Sequence, residues 1–248
     1  MSAPTDTALL EVEHLTKRFG GVTAVDDCSF TVERGTITGL IGPNGSGKTT
    51  VFNLVTGYLA ADSGRIAFDG RAYSRPDPGA LYHRGLSRTF QQARIFPVLS
   101  VLDNLIVAAG HPWRALFAPR RGRADVARAT ALLDEFNLAV HAEKPAGELS
   151  YGQRKLLEFA SVLMSEPKLI LLDEPTAGVN PVLVEAMELH IRQRHASGIT
   201  FLIVEHDMNL VMRLCDPVIV LDRGTRIAAG PPDAVRADPA VLDAYLGD

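Results

Sequence analysis

Eight consecutive residues, Gly42-Pro43-Asn44-Gly45-Ser46-Gly47-Lys48-Thr49, fit the pattern Gly-x4-Gly-Lys-Ser/Thr. Glycines there permit positive φ and let the backbone wrap a polyphosphate, while the first free N–H groups of a following helix face the anion. Lys48 supplies a point charge for β- and γ-phosphates, and Thr49 a hydroxyl for Mg²⁺. A second run, Lys168-Leu-Ile-Leu-Leu172-Asp173-Glu174, ends an apolar stretch in two carboxylates. Asp173 is suited to holding Mg²⁺ through water and Glu174 to acting on a water nucleophile. A solvated acidic turn needs no phosphate loop upstream; here one is present, and the two motifs together describe a nucleotide site.

These groups need elements to position them. Thr36 to Ile41 is an apolar run of strand length, and Thr50 to Thr56 has helix-compatible spacing, so the phosphate loop falls between strand and helix. The acidic pair ends a buried strand. Between them, Ser150 stands as N-cap of a long helix with apolar residues at Leu156, Leu157, Phe159, Ala160, Leu163 and Met164. Gly152 in its first turn costs roughly 1 kcal/mol against Ala, which points to something approaching the backbone closely.

Further along the chain, Leu9–His14 reads as a first strand and 16–21 as a turn, with Val22–Val32 a strand broken at Asp26-Asp27. Asp62-Ser63-Gly64 reads as a turn, 65–68 and 86–90 as strands, and Asp77–Arg84 as a short helix. Ser100 caps a helix through Ala109, and Ala124–Phe136 forms another. Phe19 beside two glycines is either a small core contact or a stacking surface for a purine ring. Residues 110–123, with Trp113 and Phe117 among arginines, are either a solvated loop or a contact surface for a partner or anionic headgroups.

The bulk properties exclude several classes. A chain of 248 residues with a formal net charge of −4 lacks the clustered basic face of a duplex nucleic-acid binder. Cys28 and Cys215 are far apart and without metal-ligand spacing, so neither a disulfide framework nor a zinc site is indicated. No stretch approaches the ~18 uninterrupted apolar residues of a membrane span. Of seven histidines none pairs at i, i+4, and His190 and His195 read as solvated.

Taken together, the phosphate loop at 42–49, Leu149-Ser150-Tyr151-Gly152-Gln153 and the acidic strand at 169–174 resemble the nucleotide-binding domain of an ATP-binding cassette (ABC) protein. The Leu-Ser-Gly-Gly-Gln signature marks that family among P-loop ATPases; Tyr151 departs from its first Gly. The resemblance implies an α/β fold: a P-loop NTPase, RecA-like core with an antiparallel β subdomain and an inserted helical subdomain. It covers 9–246 as a single ABC ATPase domain, with 9–91 and 165–246 as core plus β subdomain, 92–164 as helical subdomain, and 1–8 as a flexible N-terminus. Residue by residue it implies that Phe19 stacks on adenine and that Val25, Gly42, Pro43, Asn44, Gly45, Ser46, Gly47, Lys48, Thr49 and Thr50 bind ATP. Thr49, Gln91 and Asp173 would serve Mg²⁺, Glu174 would be the catalytic base and His206 the switch histidine. Ser150, Tyr151, Gly152 and Gln153 would face the ATP of a partner subunit. Gly178 and Asn180 would lie in the loop crossing the dimer interface, where Asn180 replaces the usual Asp and leaves a neutral amide.

The resemblance narrows further. Ser87-Arg-Thr-Phe-Gln91, Arg94-Ile-Phe96, Ser100-Val-Leu-Asp-Asn-Leu105, Ala177-Gly-Val-Asn-Pro181 and Ala244-Tyr-Leu-Gly247 look like ATPase subunits of branched-chain amino-acid importers. Relatives carrying urea, amides or other small solutes share these features. The implied partners are a second ABC ATPase subunit, integral-membrane permease subunits and, through the complex, an extracytoplasmic solute-binding protein, with no nucleic acid. A helix of the permease would enter a cleft bordered by Arg94–Phe96 and Leu102, which makes the chain cytoplasmic and peripheral on the inner face of the membrane. A soluble mechanical ATPase normally carries two cassettes or a long coiled-coil insertion. Kinases lack the 149–153 signature, and no Asn-Lys-x-Asp guanine motif is present.

Overall fold

The computed structural model describes residues 8–90, 93–110 and 122–246. Gln91, residues 111–121 with Trp113 and Phe117, the segment 1–7 and Gly247 lie outside the described residues.

From the amino end, β1 (Ala8–Phe19) and β2 (Val22–Glu33) form a hairpin, and β3 (Ile37–Ile41) leads through the phosphate loop into α1 (Lys48–Val55). Next come β4 (Ser63–Phe68), β5 (Arg71–Tyr73), a short α2 (Pro78–His83) and β6 (Leu86–Arg88). Three helices follow: α3 (Val101–Ala108), α4 (Arg123–Glu135) and α5 (Tyr151–Leu163). The chain then alternates through β7 (Leu169–Asp173), α6 (Pro181–Ala196), β8 (Thr200–Val204) and α7 (Met208–Leu214). A hairpin of β9 (Val218–Asp222) and β10 (Thr225–Gly230) precedes α8 (Pro232–Ala237) and α9 (Pro239–Leu246).

Two sheets result. One is antiparallel, in the order β2-β1-β4-β5; the other runs β10-β9-β3-β8-β7-β6 and is parallel except for β10. Strands β3, β7 and β8 are buried at every position, as expected of parallel strands covered on both faces. Their side chains divide by the two-residue period of a strand. Ile41, Ile170, Leu172, Phe201 and Ile203 join a core with α3 to α7. Leu40, Leu169, Leu171, Leu202 and Val204 join a second core with α1 and the antiparallel sheet. Because β3, β8 and β7 are parallel neighbours, Ile41, Val204 and Asp173 all finish at one edge, where crevices outside strand ends receive ligands.

Several local expectations change. Residues 16–19 continue β1 and the reversal falls on Gly20-Gly21, because the strand pairs with β2 as far as Phe19↔Val22. The break at Asp26-Asp27 is absorbed within β2 as a register shift with Asp27 at φ 49°. The turn read at 62–64 is confined to its start: Ser63 pairs with Thr16 and opens β4. His190 is buried rather than solvated, its ring stacked on Phe136 at 4.0 Å, and burial lowers its pKa. His195 is half-buried and contacts the Gly35 carbonyl at 2.8 Å.

Candidate nucleotide site

The loop between β3 and α1 tolerates no side chain at two of its glycines. At Gly42 (φ 150°) an added Cβ would lie 2.0 Å from the Leu221 carbonyl oxygen, and at Gly47 (φ 100°) 2.5 Å from that of Ala24. Gly47 is also the N-cap of α1 and makes no side-chain cap bond. The first turn of α1 therefore keeps backbone donors that a side chain would otherwise satisfy, in the geometry that binds phosphate. Lys48 is buried; its Nζ donates to the carbonyls of Gly42 and Pro43, both at 2.8 Å, and to Ser46 Oγ at 3.3 Å. Burial lowers the Lys48 pKa, opposed by the carboxylates of Glu174 and Asp173. A cation held by carbonyl dipoles inside a helix-start loop is poised to exchange those partners for phosphate oxygens.

A cavity of about 190 Å³ opens over this loop, lined by Ala24, Asn44, Gly45, Gly47, Lys48, Thr49, Thr50, Glu174 and His206. Sequence placed Val25 here, but Val25 is fully buried in the core against the β-sheet, and Ala24 is the residue that meets the cavity. The alternation along β2 forces the exchange. Phe19 is 50% exposed, with Lys17 Nζ 5.6 Å from its ring centroid. Its open ring excludes a core contact and leaves a free aromatic face.

Beyond β7 the chain turns sharply. Glu174 adopts φ 48°, and its N–H donates to the Val204 carbonyl at 2.9 Å, pinning the turn to the end of β8. From there its Oε1 meets His206 Nε2 at 2.5 Å. Glu205, buried between them in sequence, accepts from the N–H groups of Thr176 and His206 and so fixes both turns. Asp173 sits lower, buried, with its N–H donating to Thr89 Oγ at 3.2 Å and its Oδ2 accepting from Arg88 Nη2 at 2.8 Å. Burial raises the Asp173 pKa and the Arg88 charge opposes it. Arg88 is a site residue that sequence reading missed, since an arginine two residues from Phe90 at a strand end reads as solvated. The Thr49 hydroxyl lines the cavity and the Asp173 carboxylate lies behind it at the end of β7, and these hard oxygens are of the type that would suit Mg²⁺.

The signature residues stand elsewhere. Ser150 and Gln153 form a reciprocal capping box on α5: Ser150 Oγ accepts from the Gln153 N–H at 3.3 Å and Gln153 Oε1 from the Ser150 N–H at 2.9 Å. The close approach inferred at Gly152 is made by this chain's own Leu183, whose Cδ2 lies 2.4 Å from where a Cβ would be. Tyr151 donates to the Ala177 carbonyl at 3.3 Å, and Asn180 Oδ1 caps α6 by accepting from the Leu183 N–H at 2.9 Å. Gly178, at φ 72°, faces the Tyr151 ring. None of the four signature residues lines the cavity over the phosphate loop.

At the mouth expected for a partner helix, Phe96 is 54% exposed while Leu102 is 7% exposed. Leu102 belongs to the α3 core and does not border the cleft. A groove of about 220 Å³ nearby is walled instead by Tyr82, Phe90, Arg94 and Val107 among others.

A parallel sheet with a glycine loop, a lysine, two carboxylates and a histidine at its carboxyl edge defines a P-loop nucleotide hydrolase. Residues 25–177 match the family model described as ABC transporter, and residues 225–248 one described as branched-chain amino acid ATP-binding cassette transporter. The high-affinity branched-chain amino acid transport ATP-binding protein BraF of Pseudomonas aeruginosa is 38% identical over 97% of this chain and 98% of its own. A probable branched-chain amino acid transport ATP-binding protein, LivG, of Methanocaldococcus jannaschii is likewise 38% identical, over 97% and 98%. A crystal structure of an ATP-binding cassette of an ABC transporter in its ADP conformation superposes with a TM-score of 0.86 at 38% identity, covering 97% of this chain and 99% of that one. This chain belongs to the ATP-binding cassette family of ABC transporters and has its fold, and with that membership come ATP binding and hydrolysis coupled to transport.

Proposed function

We propose that the protein is the ATP-hydrolysing subunit of an importer for branched-chain amino acids, working as a dimer of cassettes beneath integral-membrane permease subunits. The observation that carries the reading is the cavity joining the phosphate loop to the Glu174–His206 pair, with the 150–153 signature excluded from it. Each chain therefore offers two half-sites, and ATP would lie between the loop 42–50 of one and the signature of its partner, identical or paralogous. Phe19 would stack on adenine; Lys48 and the helix starts would neutralise the triphosphate, a preorganised field of the sort that dominates catalysis. Glu174 would take the proton of the attacking water, while His206 contacts the γ-phosphate. Mg²⁺, held by Thr49, Asp173 and Gln91, would supply charge neutralisation of the β- and γ-oxygens. Only a triphosphate bridges both half-sites, so hydrolysis reopens the pair.

Residues 92–164 would act as the helical lobe and the remainder as core plus β subdomain. The groove beside Phe96, Phe90 and Arg94 would receive a cytoplasmic helix of the permease, and a solute-binding protein would act from the far side. No helix among the described residues is long and apolar enough to cross a membrane, consistent with peripheral attachment at the cytoplasmic face. The translocase class of activity follows from that coupling. The test is ATPase activity of the complex reconstituted with its permease and binding protein. Stimulation by leucine, isoleucine or valine is expected; stimulation by urea or an amide alone would move the protein to the related small-solute importers.

A further inference from the structure

The guanidinium of Arg88 makes contacts that the reaction outlined above does not use. Nη1 donates to Asn53 Oδ1 at 2.7 Å and to Thr56 Oγ1 at 3.1 Å, both at the carboxyl end of α1. Nη2 donates to Asp173 Oδ2 at 2.8 Å, and Nε to the Thr89 carbonyl at 3.2 Å. Its ring neighbours are Phe52, Tyr58 and Phe90, with centroids 5.6, 5.8 and 4.8 Å away. The ion pair is sealed, with side-chain exposures of 6% for Arg88 and 4% for Asp173.

One rigid fork thus joins the far end of α1 to the last residue of β7. Helix α1 carries Thr49 in its first turn, and β7 carries Asp173 at its end. Pairing of Arg88 with Leu171 and of Thr89 with the Asp173 N–H keeps the fork's own strand in step with β7. We infer that Arg88 is a positioning residue that fixes the spacing between the Thr49 hydroxyl and the Asp173 carboxylate, and through it the affinity and size selectivity of the nucleotide-bound metal ion. This rests on the assignment of those two residues to Mg²⁺. Mg²⁺ demands near-ideal octahedral geometry and Ca²⁺ does not, so a loosened spacing penalises the smaller ion.

A lysine keeps the charge but is a point donor on a flexible stem and cannot span α1 and β7 together. The test uses the full chain with a non-hydrolysable ATP analogue: metal affinity read with Mn²⁺ by electron paramagnetic resonance, Ca²⁺ and Mg²⁺ by competition, and analogue binding measured separately in chelator. For Arg88→Lys, Mn²⁺ and Mg²⁺ affinity should fall about 10-fold, the range for orienting partners of metal ligands, with Ca²⁺ affected less. Metal-free nucleotide affinity should stay within about twofold. Asn53→Ala, which unseats the fork and leaves the charge, should shift the same ratio in the same direction and serves if Arg88→Lys does not fold. Unchanged metal affinity in both variants, or an equal loss of metal-free binding, would overturn the inference while leaving the nucleotide site intact. A wild-type chain that binds the analogue but shows no metal affinity in its presence would overturn the metal assignment and the inference with it.

Discussion

Replacing Glu174 by Gln removes one charge and almost nothing else. The side chain sits at a turn with φ 48°, a strained conformation that glutamine bears equally, so the substitution adds no backbone cost of its own. Its Oε1 contact with His206 is one that an amide oxygen can keep. What disappears is the proton acceptor, whose contribution in general-base catalysis is about 10²–10⁴-fold. At 1.36 kcal/mol per decade that is about 3–5 kcal/mol on the barrier. Binding should move the other way. A carboxylate facing a phosphate charge repels it, so its loss leaves ATP affinity equal or tighter. The offset is partial, because Glu174 also sustains the charge on buried Lys48. The expected result is a variant that binds ATP, accumulates as a dimer on size exclusion in Mg-ATP and turns over at least 100-fold more slowly in a single-turnover assay, at the low end of that range. Turnover within about threefold of wild type would remove Glu174 from the role of base, whatever the binding data show.

Three further outcomes are expected. Lys48→Ala strips the loop of its cation and should weaken nucleotide binding, followed with a fluorescent ATP analogue, by about 10- to 100-fold; retained tight binding would contradict the phosphate cradle. Asn180→Ala deletes the α6 cap and should cost about 1 kcal/mol in urea unfolding, whereas Asn180→Asp keeps the acceptor toward the Leu183 N–H and should cost nothing. Asp69 is held by Lys168 and Arg34, which bring its pKa to about 2 from 3.8. A depressed native pKa contributes stability above the unfolded value and loses it as pH falls through the folded one. Wild type should therefore shed about 1–2 kcal/mol between about pH 5 and pH 2, after discounting for partial exposure, and Asp69→Asn should show a flatter acid limb over that window.

The chemistry was legible because it is local. A glycine loop, a strand ending in Asp-Glu and an N-capped helix at Ser150 each sit within a few consecutive residues, and their spacing reports their geometry directly. What escaped the sequence is what folding brings from a distance. Arg88 reaches Asp173 across 85 positions, and nothing in the run 86–90 tells a buried fork from a solvated one. Val25 and Ala24 trade places because a strand's alternation, not residue type, decides which faces the cavity. Thr16 to Phe19 looked like a turn from composition; the pairings of Lys17, Arg18 and Phe19 with β2 override that preference. Leu102 and Phe96 carry similar hydropathy, and only the packing of α3 separates the core residue from the exposed one.

Gly152 shows how a local inference can be right about a close approach without naming what approaches. The cost of glycine in a first turn implied a close neighbour, and the neighbour is the Leu183 side chain from the start of α6. The same small patch holds Tyr151 against the Ala177 carbonyl and over Gly178, and Asn180 closes it by capping α6. The departures from the usual family residues thus lie within one surface: the tyrosine at 151 packs beside Gly178, and an amide at 180 does the capping work of a carboxylate. That surface is continuous with the site. Ala177 donates its N–H to the Glu174 carbonyl at 3.2 Å, so the turn that aims the carboxylate into its own cavity also begins the segment packed on the signature helix. Glu174 and the residue that holds Tyr151 are thus three positions apart in one hydrogen-bonded turn, which ties the carboxylate to the surface bearing the signature helix.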